Sequence, residues 1–198
     1  MAIRLGITGG IGSGKSGLSE LLRVQGIPVY DCDKEARRLM NESPLIKNRL
    51  CALAGSETYS ADGQLNRMFL ATFMFNDAGH VAQVNAIVHP AVRADFRHWA
   101  EERAEKDIVA VESAILFEAG MKDDVDKVIL VYTPFQERLQ RVMERDNATE
   151  EQVRNRMSNQ MSDEEKLPLA DYIIHNAEHD AVTPQVESLL ISLKNCLN

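Results

Sequence analysis

Apolar and polar positions alternate in two rhythms along the chain. Short apolar runs at residues 3–8, 27–31, 108–111, 128–132 and 172–175 read as strands buried on both faces. Between them apolar residues recur at three and four, the spacing of an amphipathic helix. Leu18, Leu21 and Leu22 mark the core side of a first helix, over 17–23, that starts in a glycine-rich loop and stops at Gly26. The alternation predicts an α/β fold, a parallel five-stranded sheet flanked by helices.

Two stretches break this rhythm. Residues 34–107 are far longer than a strand-to-strand crossover needs and predict an inserted helical unit. Helices are expected there over 34–40, 45–53 and 66–75, with a break at Asn41-Glu42-Ser43-Pro44 and a turn or short β-excursion over 60–65. A further helix over 81–87 leads to His89-Pro90, read as a capped terminus or a rigid corner, and 91–103 continues as helix. Phe69, Phe73 and Phe75 read as core rather than as a ligand platform. In the second stretch, 134–168, Pro134 suits the start of a helix over 136–145 that buries Leu139 and Val142. Asp146-Asn147-Ala148-Thr149 interrupts it, and Thr149 with Gln152 predicts a capped helix over 150–160. From Val182 the chain reads as one docked helix.

Composition narrows the partners. The 198 residues suffice for one substantial core with inserted units, not for a second independent domain. A formal charge of −8, from 22 basic and 30 acidic residues, gives no general attraction for nucleic acid or an anionic membrane. No apolar run approaches the roughly 18–20 residues that cross a bilayer. Cys32, Cys51 and Cys196 are odd in number without C-x-x-C spacing, so neither a disulfide framework nor a zinc knuckle is expected. The first strand begins at the third residue, leaving no room for a removable signal peptide, and a cytoplasmic location is expected.

The strongest chemical signal is Gly9-Gly10-Ile11-Gly12-Ser13-Gly14-Lys15-Ser16, which fits G-x-x-x-x-G-K-[ST] and directly follows the first strand. Glycines let the backbone curl so that amides face phosphate oxygens, the lysine reaches the β- and γ-phosphates, and the serine hydroxyl holds Mg²⁺. The nucleotide-contact candidates are therefore Gly10, Ile11, Gly12, Ser13, Gly14, Lys15, Ser16 and Gly17, with Ser16 on the metal. Asp31 and Asp33 end the second strand, where ligands gather in open parallel sheets, and strand alternation would turn both carboxylates to one side. Asp33 reads either as a proton acceptor or Mg²⁺-water ligand, or as a helix cap before Lys34. Arg138, Arg141 and Arg145 recur at three and four and share a helix face. They either pair with neighbouring glutamates or close over the phosphates and exclude water, with Arg141 and Arg145 the leading nucleotide contacts. Glu112 closes the third strand, where it could reach Mg²⁺ through water.

In sum the chain resembles the dephospho-CoA kinase family. The resemblance rests on the residues 5–16 segment, Tyr30-Asp31-Cys32-Asp33, Asp62-Gly63-Gln64-Leu65-Asn66-Arg67 and Asn85-Ala86-Ile87-Val88-His89-Pro90. It extends through Leu116-Phe117-Glu118, Arg145-Asp146, Gln160 and Ala170-Asp171-Tyr172-Ile173-Ile174-His175-Asn176. It departs at Gly17, where threonine is common, at Cys32, where alanine is usual, and at Ala114, where many members have proline. The resemblance implies ATP- and Mg²⁺-dependent phosphorylation of the ribose 3′-hydroxyl of dephospho-CoA, on a P-loop core with an acceptor-binding insertion (34–107) and a lid (134–168). It further implies Asp33 as general base and Asp31, Arg67, His89 and Pro90 on the acceptor side. Lys15, Arg141 and Arg145 would act in catalysis, and Asn176 near the adenine. A kinase for another hydroxylated acceptor would share the core. A switch NTPase would carry Asp-x-x-Gly and Asn-Lys-x-Asp motifs, and neither occurs.

Overall fold

The computed structural model describes residues 2–195, and Cys196 lies outside them. Among the described residues five strands form one sheet: β1 (Ile3–Thr8), β2 (Val29–Asp31), β3 (Ile108–Glu112), β4 (Lys127–Tyr132) and β5 (Tyr172–His175), in the order β2-β3-β1-β4-β5. β1 is central and runs parallel to β3 and β4, and β4 runs parallel to β5. The register sets Ile7 opposite both Glu112 and Ile129, so β3 ends in a carboxylate beside the exit of β1. β2 begins two residues later than the expected 27–31. Pro28 has no N–H to offer a ladder, although its carbonyl accepts from Ala110.

The strands are apolar almost throughout because both faces are covered. On one face Leu5, Ile7 and Ile129 pack with Leu18 and Leu22 of α1 (Lys15–Val24) and Leu189 and Leu193 of α9 (Val182–Asn195). The alternate residues Val109, Val111, Val128 and Leu130 are also fully buried.

The chain divides into two compact units, one made of residues up to Tyr30 and from Glu102 onward, the other of Asp31–Glu101. In the first, α6 (Phe135–Asp146) ends at Asn147, whose φ is +48°, and α7 (Glu150–Met157) starts with both bonds of a Thr149–Gln152 capping box. Leu139, Val142, Val153 and Met157 fill the space between these helices. α7 stops at Met157 rather than at 160, and the chain turns into α8 (Asp163–Lys166).

The second unit holds α2 (Cys32–Glu42), α3 (Pro44–Ala54), α4 (Arg67–Asn76) and α5 (Ala78–Glu101). Ser43 caps α3 and Pro44 takes its first turn, where no N–H is needed. The expected excursion over 60–65 is a turn closed by a Tyr59–Leu65 antiparallel bridge. Two expectations are corrected here. His89-Pro90 is neither a terminus nor a corner, because α5 runs unbroken through Pro90. Val84, Val88, Val92, Phe96 and Ala100 form a buried stripe at spacing four, and Pro90 lies exposed off that stripe. Packing on both sides of the proline outweighs its missing hydrogen bond. Phe69, Phe73 and Phe75 are not a core stripe either. Leu70 is the buried residue of α4, Phe69 and Phe73 are half-buried, and Phe75 is 89% exposed. Two positions along a helix face opposite ways, so Phe73 and Phe75 cannot share a side. Phe73 instead stacks on His80, with centroids 3.9 Å apart.

Candidate functional site

The loop that leaves β1 is shaped by its own glycines. Gly14 has a φ of +91°, and a Cβ there would lie 2.0 Å from Asn176 Nδ2. A Cβ on Gly10 would lie 2.0 Å from Arg138 Nη1. Glycine at these two positions lets the protein's own side chains press against the back of the loop. Asn176 Nδ2 donates to Ser13 O at 2.8 Å, and Thr133 Oγ1 lies 3.0 Å from the same carbonyl.

On its other side the loop delivers the start of α1. Gly14 is the N-cap residue and makes no side-chain cap bond, and the loop turns into the positive end of the helix dipole. Such an end attracts phosphate. Lys15 Nζ lies across the loop, donating to Gly9 O at 2.9 Å and Gly10 O at 3.2 Å. Ser16 Oγ donates to Glu112 Oε1 at 3.0 Å, and Ser19 Oγ donates to Glu112 Oε2 at 2.6 Å. With its proton committed to Glu112, the Ser16 oxygen keeps its lone pairs for a cation. These residues fit a triphosphate with Mg²⁺. Among the described residues no cluster of three or more His, Cys, Asp or Glu could hold a metal. Magnesium bound to a nucleotide needs none, since phosphates and water supply most of its ligands.

The arginines share a helix face but not an environment. Arg138 is buried, with Nε donating to Thr133 O at 3.0 Å and Nη2 paired with Asp163 at 2.6 Å. Arg141 is half-exposed, 3.5 Å from Glu137 and 3.5 Å from Thr133 Oγ1. Arg145 is exposed and pairs with Asp146 at 2.7 Å, where Arg156 joins at 2.8 Å. The hydrogen bonds from Arg145 and Arg156 hold the Asp146 carboxyl down to about 2. Seven residues along a helix return to the same side about 10 Å further on. The first turn of α6 therefore packs on the loop while its last turn projects into solvent.

Strand alternation does not carry Asp31 and Asp33 to one side, because the extended backbone ends at Asp31 and α2 begins at Cys32. Asp31 is the helix cap, accepting from Lys34 N at 3.0 Å, and Asp33 stands exposed in the first turn without that duty. Arg67 is exposed at the start of α4, which Asn66 caps. His89 is half-buried in α5, and burial pushes its pKa below the usual imidazole value. The structure thus gathers the loop, Glu112, Thr133, Arg138 and Asn176 around α1. Arg67 and the His89-Pro90 pair lie on separate helices of the other unit.

Glu118 and Gln160 are among the residues that carry the resemblance, but sequence reasoning gave them no role and missed Lys166 beside them behind the loop. Gln160 Oε1 accepts from Ile11 N at 3.0 Å, Glu118 Oε1 accepts from Met161 N at 2.7 Å, and Lys166 is fully buried with Nζ donating to Ala114 O at 2.9 Å. A signal in the residues themselves is Ser162-x-x-Glu165, a capping box that fixes where this polar segment turns.

Comparison with known proteins supplies the rest. The family model described as dephospho-CoA kinase (CoaE) matches residues 3–181. A dephospho-CoA kinase of Bacteroides fragilis is 46% identical over 193 residues, covering 98% of this chain and 94% of the relative. The crystal structure of a Thermus thermophilus protein matches with TM-score 0.81 and 34% identity, covering 100% of this chain and 98% of that one. The dephospho-CoA kinase from Campylobacter jejuni matches with TM-score 0.74 and 25% identity over 100% of both chains. A P-loop core on a parallel five-stranded sheet, and matches that run nearly end to end, lead to one conclusion: the chain belongs to the dephospho-CoA kinase family and is an ATP-dependent phosphotransferase.

Proposed function

We propose that this chain converts dephospho-CoA to CoA by moving the γ-phosphoryl group of ATP to the ribose 3′-hydroxyl, with the Gly9–Ser16 loop gripping the ATP phosphates. The observation that carries the reading is the α1 N-terminus, which no side chain caps, with Lys15 across it and Ser16 bonded to Glu112. Lys15 turns from the loop carbonyls to the β- and γ-phosphates. Ser16, its hydroxyl hydrogen-bonded to Glu112, would hold Mg²⁺ through its oxygen. When bound, Mg²⁺ would offset the charge that builds on the phosphate oxygens.

Asp33 orients the acceptor hydroxyl and takes its proton, late in the transfer if the transition state is loose. Its place just beyond the carboxyl end of β2, free of the capping role that Asp31 fills, supports this assignment. Residues 34–107, with Asp31, Arg67, His89 and Pro90, receive the dephospho-CoA. Residues 134–168 act as a lid, with Arg141 and Arg145 reaching the nucleotide and excluding water that would otherwise take the phosphoryl group. Asn176 borders the adenine end. The reaction takes place in the cytoplasm. Positioning and charge neutralisation supply most of the rate enhancement. A coupled assay of the purified protein with ATP, Mg²⁺ and dephospho-CoA tests the proposal: CoA and ADP should form in equal amounts, and ADP without CoA would overturn it.

A further inference from the structure

The segment that follows α7 makes a series of contacts with no evident part in closing over a substrate. Gln160 takes the N–H of Ile11 at 3.0 Å, while Arg138 Nη1 approaches the Ile11 carbonyl at 3.5 Å. Both backbone polar groups of one phosphate-loop residue, Ile11, are thus engaged by side chains from residues 134–168. Gln160 is itself held. The next residue, Met161, donates its N–H to Glu118 at 2.7 Å. Glu118 pairs with the fully buried Lys166 at 3.4 Å, and Lys166 donates to Ala114 O at 2.9 Å. Asp163, between these anchors, pairs with the buried Arg138 at 2.6 Å. A lysine and an arginine–aspartate pair are costly to bury, and they remain so only with fixed partners. The contacts therefore hold residues 160–166 at a defined place behind the loop.

We infer that Gln160 is a positioning residue for ATP: through the Ile11 amide it sets the curl of the phosphate loop, and the Glu118–Lys166 and Arg138–Asp163 pairs fix Gln160 in turn. The Ile11 N–H donates to Gln160. It serves as the point where the return segment of the proposed lid is coupled to the loop. A shift of residues 160–166 moves the Ile11 peptide, and with it the neighbouring amides that meet the phosphates. This inference rests on the loop holding ATP.

Gln160→Met keeps the side-chain length and removes the acceptor, leaving the Ile11 N–H without its partner. Gln160→Glu keeps an acceptor oxygen. Steady-state kinetics with each substrate varied in turn, inhibition by inorganic tripolyphosphate, and thermal melting of the wild type and both variants provide the test. For Q160M the KM for ATP and the inhibition constant of tripolyphosphate should each rise about tenfold. The KM for dephospho-CoA should stay within about twofold and the melting temperature should be little changed, since a single half-buried hydrogen bond is removed. Q160E should recover a substantial part of the loss. An unchanged KM for ATP in Q160M, an equal rise for both substrates, or an equal defect in Q160E would overturn the inference. Wild-type enzyme that makes no CoA would instead overturn the reading on which it rests.

Discussion

The sheet unit and the helical unit are held together by different physics. In the sheet unit, polar groups converge on one loop: buried Thr133 and Arg138 from the end of β4 and the start of α6, and half-buried Asn176 and Gln160 from the end of β5 and the segment after α7. In Asp31–Glu101 the organising feature is the apolar stripe from Val84 to Ala100. Its polar ties are half-exposed: Arg38 reaches Asp95 at 2.7 Å and Glu42 at 3.2 Å, and Tyr59 donates to Met40 O at 2.7 Å. The helical unit also leaves Leu45, Met68 and Phe75 largely exposed, at 62%, 81% and 89%. Gripping a triphosphate requires amides fixed in direction, and here the direction is fixed by side chains bonded to the loop backbone. A helical unit organised by side-chain packing can tolerate a mid-helix proline. A phosphate loop cannot tolerate a misplaced carbonyl.

The contrast can be broken at four points. The largest effect should come from Asp33→Asn, which lowers turnover by about 10²–10⁴-fold, the usual contribution of a general base. The KM for ATP should change only a few-fold, because the proposed grip on phosphate belongs to the other unit. Turnover comparable to wild type would remove Asp33 from the chemistry. Next is Arg138→Met, which leaves Asp163 buried without its partner and should cost about 3–5 kcal/mol in urea unfolding. Loss of less than about 1 kcal/mol would show that the brace behind the loop is not needed.

Pro90→Ala reverses the sign in the helical unit. It restores a helical N–H in α5 and should add up to about 3 kcal/mol of stability, less whatever the freer unfolded chain gains. The KM for ATP should not move, and destabilisation would mean that the proline's rigidity holds the stripe in place. The smallest effect is that of His89. Burial lowers its folded pKa below the usual imidazole value, so on acidification the unfolded chain binds the proton first. Its contribution to stability is complete above 6.5 and declines as pH falls below that value. His89→Gln should therefore flatten the loss of stability between pH 7.5 and pH 5.5. An NMR titration midpoint at or above the unfolded value would contradict the assignment.

Much of the fold was legible because strands buried on both faces announce themselves as apolar runs, and β1, β4 and β5 start or end within a residue of where their runs do. Two of the misreadings share a cause. Pro90 and the Phe69–Phe73–Phe75 series were read from local preference, while tertiary packing decided which side of each helix is buried. The phosphate loop was legible because its chemistry needs residues close in sequence. Its supports were not, since Gln160 stands 149 positions from Ile11 and Asn176 stands 163 from Ser13. Arg138 was visible only as one of several arginines, because spacing shows a shared face but not where along the helix the neighbouring loop ends.

The most direct measurement follows phosphate into product: purified protein is incubated with γ-labelled ATP, Mg²⁺ and dephospho-CoA, and the label is located by mass spectrometry or NMR. The account predicts label on the ribose 3′-oxygen of CoA, one for each ADP formed, and loss of that transfer in the Asp33→Asn protein. Label released as inorganic phosphate, or attached anywhere else on the acceptor, would contradict it.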